Sequence, residues 1–291
     1  MNKIIAVISG KGGVGKTTVT ACVGAALAAK GHQVLVADGD LGLRDLDLVL
    51  GQENDILFDA VDVWKERCDA DHAILNVAPN LDFLPASQSR RWEDLGRKGY
   101  GKLLRRLSPR YEYIIVDAPA GIGRGNEAVL RAADEMLLVT APLWVAIRDA
   151  QRVMQLCHEQ RRFNYAVVVN SVGAGEAELS VPEALSALQA ERVGAILPYR
   201  TEVITAAQQG ALHQLTDGPF ATQMADLVTY LETEEPVPEE ELLAHWDAYA
   251  ASVQPKAPMQ SMLSAVTESA KKGLAGLLRH RRNSPWRHRL R

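Results

Sequence analysis

Ser9-Gly10-Lys11-Gly12-Gly13-Val14-Gly15-Lys16-Thr17-Thr18 decides the fold. From Gly10 to Thr17 it fits G-x-x-x-x-G-K-[ST], the phosphate-binding P-loop pattern. The flanks fit as well. Lys3 to Ile8 is a short apolar run that reads as a buried strand, and Thr17 to Lys30 reads as an Ala-rich helix ended by Gly31. A P-loop needs strand, glycine loop and helix in this order. The glycines bare backbone N–H groups that surround phosphate oxygens, and the helix N-terminus adds partial positive charge. Lys16 is expected to reach the β- and γ-phosphates, and the Thr17 hydroxyl to ligate Mg²⁺. A glycine-rich turn without a ligand is the competing reading, and the flanking strand and helix argue against it.

Downstream, strand and helix patterns alternate. Strands are expected at 33–37, 81–84, 112–116, 135–140, 165–170 and 192–197, with helices such as 146–161 and 181–189 between them. The strand runs are continuously apolar, as expected when both faces are covered. The fold class is therefore α/β: a mostly parallel central sheet with helices on both faces, of the P-loop NTPase kind. Ligands then sit beyond the carboxyl ends of the strands, where the P-loop lies. Asp38 and Asp40 follow the second strand directly, and Asp117 follows Tyr113-Ile114-Ile115-Val116. Acids at that edge can hold Mg²⁺ through water, or orient the water that attacks the γ-phosphate. Asp38 and Asp117 join Thr17 as candidate metal ligands. Each aspartate alone also fits a loop or N-cap residue; three beside a P-loop make coincidence a poor explanation.

The chain has 291 residues, is 47% hydrophobic and carries three cysteines, Cys22, Cys68 and Cys157, without metal spacing. That pattern fits a reduced compartment without a disulfide framework. The core strand begins at Lys3, leaving no signal peptide, and no apolar run approaches the ~18 residues of a spanning helix. A cytoplasmic location follows as the expectation.

Net charge is −4, unevenly placed. Residues 271–291 hold eight Lys/Arg and no acid, which leaves −12 on residues 1–270. The expected organisation is a nucleotide-binding domain at 1–231, an acidic, proline-bearing linker at 232–258 with a short helix at 242–251, and a basic tail at 259–291. Met259, Met262, Leu263, Val266, Ala270, Leu274, Leu277 and Leu278 repeat at helical spacing, so one face of the tail helix is apolar. Lys271, Lys272, Arg279, Arg281 and Arg282 flank it. A basic amphipathic helix reads as a membrane-surface element. A helix packed on its own body, a disordered tail or a nucleic-acid tail are the other readings.

Each basic residue near anionic lipid is worth about 1 kcal/mol, and a buried Leu roughly 1.5–3 kcal/mol. Ordering costs about 1–2 kcal/mol per residue, and Gly273 and Gly276 each weaken the helix by about 1 kcal/mol. One copy is marginal; two copies held together would gain effective concentration.

Several motifs together resemble the MinD subgroup of the MinD/ParA ATPases. Beside residues 9–18, Lys11 included, they are Asp38-Gly-Asp40-Leu-Gly-Leu-Arg44-Asp45-Leu-Asp47-Leu, Leu84-Pro-Ala-Ser-Gln88 and Asp117-Ala-Pro119-Ala-Gly121-Ile. Val145-Ala-Ile-Arg148-Asp149-Ala and Ile196-Leu-Pro198-Tyr199 extend the likeness, which runs in order over roughly residues 1–230; separately, Lys271-Lys-Gly-Leu-Ala-Gly-Leu-Leu-Arg279 resembles the family's membrane anchor.

The resemblance implies an ATPase of division-site placement that takes ATP and Mg²⁺ and forms an ATP-dependent homodimer. It also implies reversible attachment to the inner face of the membrane, and a division-inhibitor protein and an ATPase-activating protein as partners. Nucleic acid is the less favoured partner. Lys11, a position that ordinary P-loops leave free, resembles the lysine of "deviant Walker A" ATPases, which crosses to the partner's nucleotide; a solvated loop lysine is the alternative. Lys11 and Lys16 would then contact phosphate, Asp40 and Asp117 would serve the two nucleotide-sensing switches, and Asn170 matches the position that reads adenine.

The chain departs from the family pattern at Asp45 (usually Asn), Ala118 (often Ser) and Gly123 (frequently Glu), and Asn170-Ser171 lacks the usual Arg-containing loop. These departures bear on partner identity and turnover. Two alternatives follow: a relative that positions flagella or segregates DNA, and a nucleotide-gated scaffold that hardly hydrolyses. Iron–sulfur reductases of the same fold need glycine-flanked cysteine ligands that Cys22, Cys68 and Cys157 do not supply.

Overall fold

The computed structural model describes residues 2–90, 92, 99–121 and 123–252. The basic tail 259–291 lies outside the described residues. In chain order the elements begin β1 (Lys3–Ile8), α1 (Lys16–Ala29), β2 (Val34–Asp38), α2 (Leu46–Leu50), α3 (Ala60–Trp64), α4 (Ala70–Ala73), β3 (Leu75–Ala78) and β4 (Leu81–Leu84). They continue α5 (Gly99–Leu107), β5 (Tyr113–Asp117), α6 (Arg124–Ala132), β6 (Glu135–Thr140), α7 (Trp144–Glu159), β7 (Tyr165–Val172) and α8 (Val181–Leu188). The last are β8 (Val193–Pro198), α9 (Thr201–Gln208), α10 (Gly218–Thr233) and α11 (Glu239–Ser252).

Eight strands form one sheet in the order β3-β4-β2-β5-β1-β6-β7-β8. All pairings are parallel except β3 with β4. The continuous apolar runs bury both faces. Ile4, Ala6 and Ile8 of β1 enter one core with α5, α6 and α7, and Ile5 and Val7 enter the other with α1 and α10. Because β1 and β2 both pair with β5, the ends of three strands meet at one edge, and Asp38 stands opposite Asp117 in register. The loops after β1, β2 and β5 therefore share one site, beyond the carboxyl ends of their strands.

Two sequence expectations change. The antiparallel edge strand β3 was not anticipated: four residues, one of them an exposed asparagine, give too short an apolar run. It joins β4 through Pro79-Asn80, with Asn80 at φ +62°. The body also does not end near Leu231. It runs to Trp246, so half of the expected linker belongs to it. Leu242 is buried, Leu243 and Trp246 pack against the core on the α5–α7 face, and His245 Nδ1 lies 3.0 Å from Asp226 Oδ1. The segment's acids and prolines dominate its composition. Residues at i, i+1 and i+4 are enough to dock one helical face.

Candidate nucleotide site

The P-loop turns tightly between β1 and α1. Gly15 caps α1 in the left-handed region at φ +89°, which a Cβ disfavours. A Cβ there would also fall 2.1 Å from Asn170 Nδ2, and one on Gly10 would fall 2.4 Å from the Asp149 carbonyl oxygen. Helix α7 and strand β7 thus fix the loop from two sides, and Asn170 Nδ2 donates to the Val14 carbonyl at 2.8 Å. Asn170 is buried; this hold on the P-loop is a contact that the sequence did not announce. Gly12 and Gly13 are exposed, Val14 is buried and Thr18 is half-buried. Lys11 is exposed. Ser9 Oγ donates to the Lys11 carbonyl at 3.0 Å, holding the backbone that carries it.

Three side chains converge on Asp117. Lys16 Nζ is 2.6 Å from Oδ1, Thr17 Oγ1 donates to Oδ2 at 2.7 Å, and Thr20 Oγ1 lies 3.2 Å from Oδ1. Both partners of the ion pair are buried. Thr20 was absent from the sequence reading, although one helical turn from Lys16 puts both on one face. Asp38 Oδ1 accepts the Asp40 N–H at 2.8 Å, and Oδ2 accepts the Leu46 N–H at 3.1 Å. Burial first, and the Asp117 charge second, push Asp38 up to about 8. Asp40 is half-buried and also raised, by burial first, with Lys16 opposing. The Asp40 carbonyl accepts Leu43 and Arg44 N–H groups, and Arg44 Nε donates to Asp47 at 2.7 Å.

Two more residues escaped the sequence reading. The Tyr100 hydroxyl donates to the Asp38 carbonyl at 2.7 Å from a fully buried position. Nothing in a 62-residue separation signals that contact. Asn126 Nδ2 donates to the carbonyls of Pro119 and Gly121, in the loop after Asp117.

The donor set of Thr17, Asp38 and Asp117 is all oxygen and suits a hard cation. Among the described residues no three His, Cys, Asp or Glu side chains cluster as a metal cage. Mg²⁺ commonly keeps waters and takes phosphate oxygens beside one or two protein ligands.

A glycine loop on a strand–helix junction, with lysine, threonine and a strand-end aspartate in contact, defines a P-loop nucleotide-binding protein. The CobQ/CobB/MinD/ParA nucleotide-binding domain model matches residues 5–213. The septum site-determining protein MinD of Synechocystis is 40% identical over 216 residues, covering 72% of this chain and 81% of the relative. This chain belongs to the MinD/ParA nucleotide-binding family. The MinC:MinD cell division protein complex of Aquifex aeolicus superposes with TM-score 0.72 at 34% identity, covering 81% of this chain and 98% of that one. MinD of Pyrococcus horikoshii, complexed with Mg-ADP, gives TM-score 0.72 at 26% identity, covering 80% and 97%.

Proposed function

We propose that this chain is an ATP-dependent, dimerising, membrane-associated ATPase switch in division-site placement. ATP with Mg²⁺ binds the P-loop, two copies pair face to face, the tails hold an anionic membrane, and hydrolysis releases them. The observation that carries the proposal is the joining of an exposed Lys11 to a P-loop whose Lys16 and Thr17 both contact Asp117. When bound, Mg²⁺ supplies positive charge to the β- and γ-phosphate oxygens. Thr17, Asp38 and Asp117 would hold it, and Asn170 would read the base. The Aquifex relative is seen with MinC; for this chain a division inhibitor and an activator of hydrolysis are the corresponding partners. No helix among the described residues is long and apolar enough to cross a membrane, which fits peripheral attachment. Co-sedimentation with anionic liposomes, ATP against ADP, tests the whole cycle: equal binding in both states would overturn it. Turnover with liposomes separates the switch from a scaffold that binds ATP without hydrolysing it.

Asp40→Ala should bind ATP yet hydrolyse it about a hundredfold more slowly, because the group that orients the attacking water is gone. The dimer then stays trapped on the membrane. Single-turnover hydrolysis equal to the parent's would move that role to another residue, with Asp117 next in line.

Deleting residues 259–291 should abolish liposome binding and spare ATP binding. Leu277→Glu keeps the tail's length but sets an acid on its apolar face, costing roughly 2–3 kcal/mol of insertion. Loss of liposome binding is expected. Binding that survives Leu277→Glu and vanishes in high salt would mean an electrostatic patch without insertion.

A further inference from the structure

The loop after Asp117 is held from below by a side chain that no motif assigns. Ala118 N–H donates to the Val7 carbonyl at 3.0 Å and Gly121 N–H to the Ser9 carbonyl at 2.9 Å, so the loop's backbone is stitched to β1 and to the first residue of the P-loop. Two of its carbonyls, those of Pro119 and Gly121, accept from a side chain. Asn126, in the first turn of α6 and only 1% exposed, gives both amide hydrogens to them, at 3.1 Å to Pro119 and 2.6 Å to Gly121. The approach is made possible by Gly125. A Cβ there would lie 2.3 Å from Trp92 Nε1 and 2.8 Å from Pro119 Cγ. Gly121 adopts φ +84°, which lets one residue give its N–H to the P-loop and its carbonyl to Asn126.

Two features separate this contact from ordinary packing. Asn126 Oδ1 and Trp92 Nε1 are both buried without a hydrogen-bond partner. Unsatisfied buried groups are disfavoured, and where they persist they mark a strained or functional place. They flank the same loop, since a Cβ on Gly125 would meet both the Trp92 indole and the Pro119 ring. The second feature is position. The loop leaves Asp117, which Lys16 and Thr17 contact, so it adjoins the carboxylate between the candidate phosphate-binding lysine and the candidate Mg²⁺ ligand.

We infer that Asn126 is a positioning residue for hydrolysis, whose carboxamide fixes the loop after Asp117 against the P-loop through the carbonyls of Pro119 and Gly121. The inference rests on the ATPase reading of the site. Asn126 bonds the loop's carbonyls and acts through the loop. It should therefore affect the step in which the γ-phosphate is cleaved and leave ground-state binding of ADP alone.

The test compares the full-length parent with Asn126→Ala and with Asn126→Asp, which keeps the side chain's shape but loses the two amide donors. In both variants the Gly121 amide should exchange its hydrogen at least tenfold faster in the ligand-free protein. The single-turnover rate with ATP and Mg²⁺ should fall about tenfold, or about 1.4 kcal/mol, with ADP affinity unchanged. A melting temperature that drops while exchange at Gly121 and the turnover rate stay at parent values would overturn the inference and reduce Asn126 to a packing residue. Should either variant fail to fold, the other carries both measurements. A parent that binds ATP but never turns it over would sink the ATPase reading instead. Exchange at Gly121 then decides alone whether Asn126 holds the loop.

Discussion

Lys16→Ala should abolish measurable ATP binding and also destabilise the ligand-free fold. The two effects share one cause, since Lys16 Nζ sits 2.6 Å from the buried Asp117. With nucleotide present, the ammonium group would be the fixed counter-ion of the β- and γ-phosphates. Its loss should weaken ATP binding at least a hundredfold, about 2.7 kcal/mol, which isothermal titration reads directly. Without nucleotide, the same substitution strands a carboxylate that keeps only the Thr17 and Thr20 hydroxyls. Breaking a buried pair by removing one partner costs about 3 kcal/mol, visible as a lower melting temperature. The double variant Lys16→Ala/Asp117→Asn separates the roles: stability should recover, because no stranded charge remains, and ATP binding should not. Unchanged ATP affinity in Lys16→Ala would remove the P-loop assignment. An unchanged ligand-free melt would mean that the pair contributes nothing to the fold.

The pair explains why the nucleotide site was legible in the sequence. A P-loop carries its function in contiguous residues, and strand ends are fixed by apolar runs, so residues 10–18, Asp38 and Asp117 could be placed at one edge from spacing alone. The parallel register that sets Asp38 opposite Asp117 then follows from β2 lying beside β5. What stayed hidden are contacts made over long separations by residues without a motif. Tyr100 reaches Asp38 from α5, and Asn170 spans 156 residues to the Val14 carbonyl. No local pattern encodes a hydroxyl or an amide that meets a distant carbonyl. Asn126 is intermediate. Gly125 leaves no room for a Cβ beside Trp92 and Pro119, but its place in the sequence does not show what fills the approach. The misplaced end of the body has another origin. Composition reports what most residues of a segment prefer, whereas Leu242 and Trp246 needed only one turn of helix to dock.

Lys11→Ala should leave ADP binding by the monomer close to the parent's, while ATP-dependent dimerisation and hydrolysis fail. Lys16 and Lys11 are five residues apart in one loop, yet their settings are opposite: Lys16 is buried on Asp117, and Lys11 is exposed. An exposed lysine contributes little to its own protomer, so its removal should cost the fold no more than a few tenths of a kcal/mol. Its effect has to appear where a second copy approaches. The same edge is apolar in a way that fits such an approach. Leu143, Trp144 and Val145 are 47%, 67% and 59% exposed at the start of α7, the helix whose Asp149 backbone packs on Gly10. Three consecutive exposed apolar residues there would give a dimer area to bury. The lysine would give it a charge that is complete only when an opposing nucleotide carries its γ-phosphate. ADP, one phosphate shorter, withholds that charge, and so the dimer should form with ATP and dissolve after hydrolysis. Sedimentation of the parent and of Lys11→Ala with a non-hydrolysable ATP analogue reads the first half, and turnover the second. The parent should sediment as a dimer and the variant as a monomer. A hydrolysis rate at least a hundredfold below the parent's is expected, since a charge supplied from across an interface is worth that much or more in phosphoryl transfer. A variant that still dimerises and turns over ATP normally would return Lys11 to a solvated loop residue, and pairing would then have to rest on the apolar rim around Trp144.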